Sequence, residues 1–228
     1  AQKPVLVIKS GRTSAGAKAT ASHTASIVVE DAVFDGVMRQ AGAVRLFDID
    51  DFLNTLKGFL NMPFPKGDRL AFVTFSGAQG IMSIDAAVEH GLQLGRFGEA
   101  AKARIAQIIS TPSKMKNPID IYPDALTHGY EKTLSELLKA LLDDDAIDGM
   151  VFISFADADP EIYRPMVDIL KNDRRKPVFI SLLGDVWDKE TSKNFLDKNG
   201  VPCFDFPEHA VRVFAHMRQY ARIKQNCR

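Results

Sequence analysis

Two stretches carry residue types that could do chemistry. The first, TSAGAKATASHTAS (Thr13–Ser26), surrounds one imidazole, His23, with Ala, Gly, Ser and Thr. Imidazole can act as a nucleophile as well as an acid–base group. A histidine that carries a phosphoryl group must meet a donor and then an acceptor, and small neighbours allow both approaches. An incidental histidine in an Ala/Ser-rich loop has the same local sequence, so the stretch alone leaves both readings open. The second stretch is VTFSGAQGIMSIDAAVEHG (Val73–Gly91), an apolar run followed by Ser76, Gly77, Ala78, Gln79 and Gly80 and then a helical pattern. Such a turn at the carboxyl end of a parallel strand lets backbone approach a ligand. The first N–H groups of the helix then face an anion, with the helix dipole behind them. The glycine spacing matches neither the P-loop nor the dinucleotide fingerprint. A tight strand-to-helix turn with no ligand is equally compatible with it.

The other candidates are weaker. His90 sits at a helix end, where a cation is favoured by the dipole. His128 reads as a loop residue, and His209 and His216 as surface positions of a terminal helix. LLDDDAID (Leu141–Asp148) reads as a solvated acidic turn, since no second ligand cluster completes a metal site. Trp187 and the phenylalanines read as core. Cys203 and Cys227 are too few for a disulfide framework and lack metal-ligand spacing. A reduced, cytoplasmic setting is the expectation.

The elements that must position these residues follow from pattern. The chain has 228 residues, with 46% hydrophobic and 25% charged, as in an ordinary folded protein. Lys plus Arg and Asp plus Glu are equal at 29 each, which argues against a nucleic-acid partner. No apolar run approaches the roughly 20 residues that span a bilayer, so no membrane association is expected. No signal-peptide pattern opens the chain. It begins AQKPVLVIKSG without Met, almost directly in a strand, as a piece of something longer would.

PVLVIKSG (Pro4–Gly11) reads as a buried strand, the small-residue stretch as a loop, and Val29–Gly42 as a helix. Ala43–Phe47 is a strand and Asp48–Met62 a helix capped by Asp48. MPFPKGD (Met62–Asp68) reads as a linker. Strands then follow at Arg69–Gly77, Leu92–Leu94, Asp148–Phe155, Lys176–Gly184 and Val201–Phe206, with NPIDI (Asn117–Ile121) after a loop. The intervening helices are Gly80–His90, Glu99–Ile109, Gly129–Asp145, Pro160–Asp173 and Lys189–Gly200, with Pro165 bending or shortening the fourth. Pro207–Ile223 closes the chain as a helix with Pro in its first turn. Alternating strands and helices, the strands apolar on both faces, predict α/β architecture with flavodoxin-like, doubly wound parallel sheets. The predicted division is residues 1–64, the C-terminal half of one such domain, and residues 65–228, a second, five-stranded one. Two strands are too few for a sheet that stands alone, so the first domain is expected to be incomplete.

KPVLVIKSGRTSAGAKATASHTAS, MRQAGAVRLF, VTFSGAQGIMSIDAAVEHGL, the Lys116–Asp120 element and GVPCFDFPEHAVRVF occur in that order along almost the whole chain. This ordered set resembles the NDP-forming acyl-CoA synthetases of the succinyl-CoA synthetase superfamily, and above all their ADP-forming acetyl-CoA synthetase branch. The resemblance implies a ligase that interconverts acyl-CoA, NDP and phosphate with acid, CoA and NTP. An acyl phosphate forms, and its phosphoryl group passes to His23 and then to the nucleotide. By the same resemblance His23 is the phosphorylated nucleophile on a travelling loop, and Ser76–Gly80 cradles the phosphate. It implies CoA, ATP or ADP and Mg2+ as substrates or ions of the full enzyme, with no permanently bound cofactor and no metal site here. CoA-binding and ATP-grasp domains or subunits are the expected partners, in an oligomer, and this segment alone is expected to be inactive. The sequence departs from the family pattern at Ala25, where Gly follows the His-Thr pair, at Ser26, where Ala is usual, and at SGAQG, which replaces a run of glycines. A non-catalytic relative of the same fold, regulatory or acyl-CoA-sensing, is the alternative these departures leave open.

Overall fold

In a computed structural model, the structure describes residues 3–24, 29–111 and 115–226. The described residues form two parallel sheets. The small one pairs β1 (Leu6–Ile8) with β2 (Val44–Leu46), Leu6 opposite Val44. Between them lie α1 (Ser14–Thr24) and α2 (Asp31–Gln40), and α3 (Ile49–Asn61) follows. Asp48 caps α3 as expected, accepting a hydrogen bond from the Asp51 N–H at 2.7 Å. β1 is half-buried rather than buried.

The large sheet runs β4 (Gln93–Leu94), β3 (Arg69–Thr74), β6 (Gly149–Phe155), β7 (Val178–Leu183) and β8 (Cys203–Phe204). Counted within this unit the order is 2-1-3-4-5, that of the flavodoxin-like class, whose ligands bind where the order reverses, between β3 and β6. β5 (Ile119–Asp120) adds to the same edge of β3 as β4, but at the other end, Val73 opposite Ile119. Asn117 joins the two short strands. Its side chain accepts from Phe72 N–H at 2.9 Å and donates to Leu70 O at 2.7 Å and Gly95 O at 3.1 Å. These bonds replace ladder bonds that neither strand is long enough to make.

α4 (Gly77–Glu89) packs with α10 (Pro207–Asn226), while α7 (Tyr130–Leu142) packs with α5 (Glu99–Ile105), α6 (Tyr122–His128) and α8 (Arg164–Asn172). α9 (Val186–Lys198) lies against β7 and β8. Phe72, Phe152, Phe179, Phe204 and Phe214 are fully buried, so the central strands lose water on both faces. The two sheets are tied through α3 and α10. Gly58 of α3 lies so close to Val213 and Met217 of α10 that a Cβ there would meet them at 2.4 and 2.9 Å. Tyr220 of α10 is buried with Val44 and Leu46 of the small sheet.

Several expectations change. Thr13–Thr24 is not a loop. Thr13 caps a helix by accepting from Gly16 N–H at 3.1 Å, and the alanines at 15, 17 and 19 propagate it. The short helix α6 was not anticipated, and His128 ends it rather than lying in a loop. The expected helix at 160–173 divides into a 3-10 turn (Pro160–Tyr163) and α8, with Pro165 in the first turn of α8. Trp187 is 78% exposed and not core, because it opens α9 on the solvent side. The acidic turn is not simply solvated. Asp144 is buried and accepts from Gly98 N–H at 2.9 Å, and buried Asp148 pairs with Arg69 at 2.7 Å. His216 is not a free surface group, since it bonds buried Asp51 at 3.1 Å.

Candidate functional site

α4 starts three residues earlier than its sequence pattern suggests, and that changes what Ser76–Gly80 does. Ser76 is the N-cap, its Oγ accepting from Gln79 N–H at 3.5 Å. Thr74, the last residue of β3, holds Ser76 in place. Its Oγ1 accepts from Ser76 N–H at 2.9 Å and donates to Ser76 O at 2.7 Å. Gly77 and Ala78 open the helix with N–H groups that have no carbonyl four residues back to receive them. Gly80 differs from the expectation: its N–H is committed to Ser76 O at 2.9 Å. It is glycine for packing, because a Cβ there would meet Thr74 Cγ2 at 3.0 Å and Pro118 Cγ at 3.3 Å. The N–H groups left open at the helix start therefore narrow to Gly77, Ala78 and, given its long bond to Ser76, Gln79.

These groups sit at the carboxyl end of β3, beside the point where the strand order reverses. Aromatic rings support the neighbourhood. Phe75 stacks on Tyr130 with ring centroids 4.9 Å apart and lies 5.4 Å from Phe155. The Tyr130 hydroxyl donates to Phe155 O at 2.9 Å and meets the Tyr163 hydroxyl at 3.0 Å. Burial pushes both phenols above their ordinary pKa, so they remain neutral donors. Sequence reasoning missed Thr74, the tyrosine pair and the Gln79 side chain, whose Oε1 is buried without a donor among the described residues. It also missed Asp120, which ends β5 with its carboxylate near Gly77. The ordered position of Asp120 after Asn117 was the available signal.

His23 lies in the last turn of α1 and is exposed. Among the described residues no hydrogen bond or ion pair joins it to Ser76–Gly80. The departures at Ala25 and Ser26 fall outside the described residues. Among the described residues no His, Cys, Asp and Glu cluster is gathered to hold a metal, and no helix is long and apolar enough to cross a membrane. Cys203 is buried and its thiol is pushed up to about 12, which makes it inert as a nucleophile.

Residues 1–59 match the family model described as the succinyl-CoA ligase like flavodoxin domain. Over 226 residues the chain is 34% identical to ADP-forming acetate–CoA ligase II of Archaeoglobus fulgidus, covering 97% of this chain and 33% of that one. The chain is a homologue of the ADP-forming acetyl-CoA synthetases. It is also 31% identical over 225 residues to the alpha subunit of ADP-forming acetate–CoA ligase I of Pyrococcus furiosus, covering 98% of this chain and 48% of the relative. Its fold superposes on a solved dinucleotide-forming acetyl-coenzyme A synthetase 1 of Candidatus Korarchaeum cryptofilum in complex with phosphate and ADP. The TM-score is 0.85 at 28% identity, over 98% of this chain and 48% of that one. The homologue described here thus spans a third to a half of the relatives it matches.

Proposed function

We propose that this chain is the phosphoryl-transfer part of an ADP-forming acyl-CoA synthetase, working with CoA-binding and nucleotide-binding segments or subunits in the cytoplasm. The observation that carries the reading is the likeness to ADP-forming acetate–CoA ligases along nearly the entire chain. In the proposed sequence phosphate attacks the acyl-CoA thioester. A C–O bond forms, the C–S bond breaks, and CoA leaves as the thiol. His23 then attacks the acyl phosphate at phosphorus, forming a P–N bond and releasing the carboxylate. ADP finally takes the phosphoryl group, breaking the P–N bond to give ATP and free imidazole. Mg2+ travels with the nucleotide.

The local electrostatics favour the N-terminus of α4 as the place where the phosphoryl group rests, and favour its departure from His23. His23 is at the C-terminal end of α1, where the dipole disfavours negative charge. A phosphoryl group gained there is less welcome than at the N-terminus of α4, where Gly77 and Ala78 N–H groups are open and the dipole favours an anion. The small side chains of α1 let His23 reach a recessed partner. In this reading residues 1–64 and 65–228 are the incomplete and complete flavodoxin-like domains of the enzyme. The acyl group is chosen largely by parts outside the chain. His23→Ala in the full enzyme is expected to abolish acyl-CoA-dependent ATP formation while CoA and ADP still bind. Unchanged turnover would overturn the reading and favour the non-catalytic relative.

A further inference from the structure

The opposite end of the second unit holds a cavity that the proposed phosphoryl transfer does not use. It lies at the C-terminal end of α4, so it is roughly 20 Å along that helix from Ser76. Its volume is about 470 Å³, within the range of small-molecule sites. Arg39 from the end of α2, His90 after α4, and His216, Arg218 and Arg222 from α10 line it, with Asp68 the carboxylate among the lining residues. Three guanidinium groups therefore face one carboxylate.

The existing partners do not balance this charge. Asp68 is taken by Arg222 at 2.9 Å, His216 bonds Asp51, and Arg39 turns to Asp35 within its own helix. Arg218 is the outlier. Its Nε and Nη1 are shut off from solvent, and neither finds an acceptor among the described residues. A guanidinium presents a fixed fork of donors, and Asp68, the carboxylate among the lining residues, is already bound to Arg222. Desolvation, and after it the charge of Arg212, lower the pKa of His90. His90 therefore stays neutral and can accept or donate a hydrogen bond.

We propose that this cavity is a second oxyanion site, taking a small phosphate-bearing ligand among the guanidinium groups of Arg39, Arg218 and Arg222 that line it. Guanidinium forks match phosphate oxygens in pairs, and the volume leaves room beyond a single inorganic phosphate. The site is separate from the candidate phosphoryl-transfer site and goes beyond the function proposed above.

The test is calorimetric titration of the full-length protein with inorganic phosphate, pyrophosphate and ADP in turn, at constant ionic strength. Arg218→Gln is expected to weaken one binding event about tenfold to a hundredfold. Arg39→Gln, at an exposed position that leaves folding intact, is expected to weaken the same event severalfold. Ser76→Ala should leave that event in place. Dependence on Arg218 with ADP identifies a nucleotide phosphate as the ligand, and dependence with only the inorganic anions identifies a free one. Absence of binding at millimolar pyrophosphate, or binding that only Ser76→Ala removes, would overturn the proposal. So would equal affinity in wild type and both arginine variants.

Discussion

Gly36 lies in the interior of α2 and Gly58 in that of α3, and replacing each with alanine should shift stability in opposite directions. On propensity alone each change stabilises by about 0.5–1 kcal/mol, because glycine loses more backbone entropy in a helix. At Gly36 nothing lies within 4 Å of the added methyl, so the gain should be realised. At Gly58 the methyl would sit 2.4 Å from Val213 Cγ1 and 2.9 Å from Met217 Sδ, with Phe179 of β7 at 3.7 Å. Met217 is flexible and can yield, but Val213 is fully buried against the sheet and has one preferred rotamer. Overpacking of this kind costs about 1–3 kcal/mol, which exceeds the propensity gain. Gly58→Ala should therefore be less stable than wild type by about 1–2 kcal/mol. Urea unfolding midpoints, with unchanged slopes, measure both variants. A more stable Gly58→Ala protein would refute the close docking of α3 on α10, and with it the link between the two sheets.

Three further outcomes follow from named contacts. Ser76→Ala removes a long capping bond and should cost about 0.5–1 kcal/mol by thermal unfolding; in the full enzyme it should also lower turnover. Asn117→Ala should cost about 1–3 kcal/mol in urea unfolding, because Phe72 N–H and Leu70 O lose their partner inside the sheet. Asp148 is buried, which would raise its pKa, but hydrogen bonds from the Arg69 side chain and N–H more than offset that and leave the pKa lowered. A lowered carboxylate pKa contributes stability above the unfolded value of about 3.9 and loses it as pH falls through the folded value. Asp148→Asn should therefore be less stable than wild type at pH 7, by about 1–3 kcal/mol given that Arg69 is partly exposed, and the gap should narrow below about pH 4.

The order of strands and helices was legible because β3, β6 and β7 are apolar on both faces and their helices carry a single apolar stripe. Cap residues were legible where a carboxylate or hydroxyl precedes the pattern, as at Asp48. α1 was not legible as a helix, because Ser, Thr and Gly mask the alanine propensity and no apolar stripe marks a buried face. α6 was hidden by its seven-residue length and by Pro123 in its first turn. Of the candidate site, the strand–turn–helix at Thr74–Gly80 could be read from glycine and serine. Which N–H groups stay open could not, since that depends on where the helix begins. The tyrosine pair and Asp120 meet the site only through folding of segments far away in sequence. The cavity around Arg218 likewise gathers residues from α2, the turn after α4, and α10, whose spacing in the chain carries no motif.

The most direct measurement is of His23 itself. The full-length protein is incubated with ATP and Mg2+ and analysed by intact-mass and peptide mass spectrometry, beside a His23→Ala control. The account predicts one acid-labile phosphoryl group on the peptide that contains His23, absent from the control and discharged by ADP. An unmodified His23 peptide in protein shown to bind ATP would contradict it.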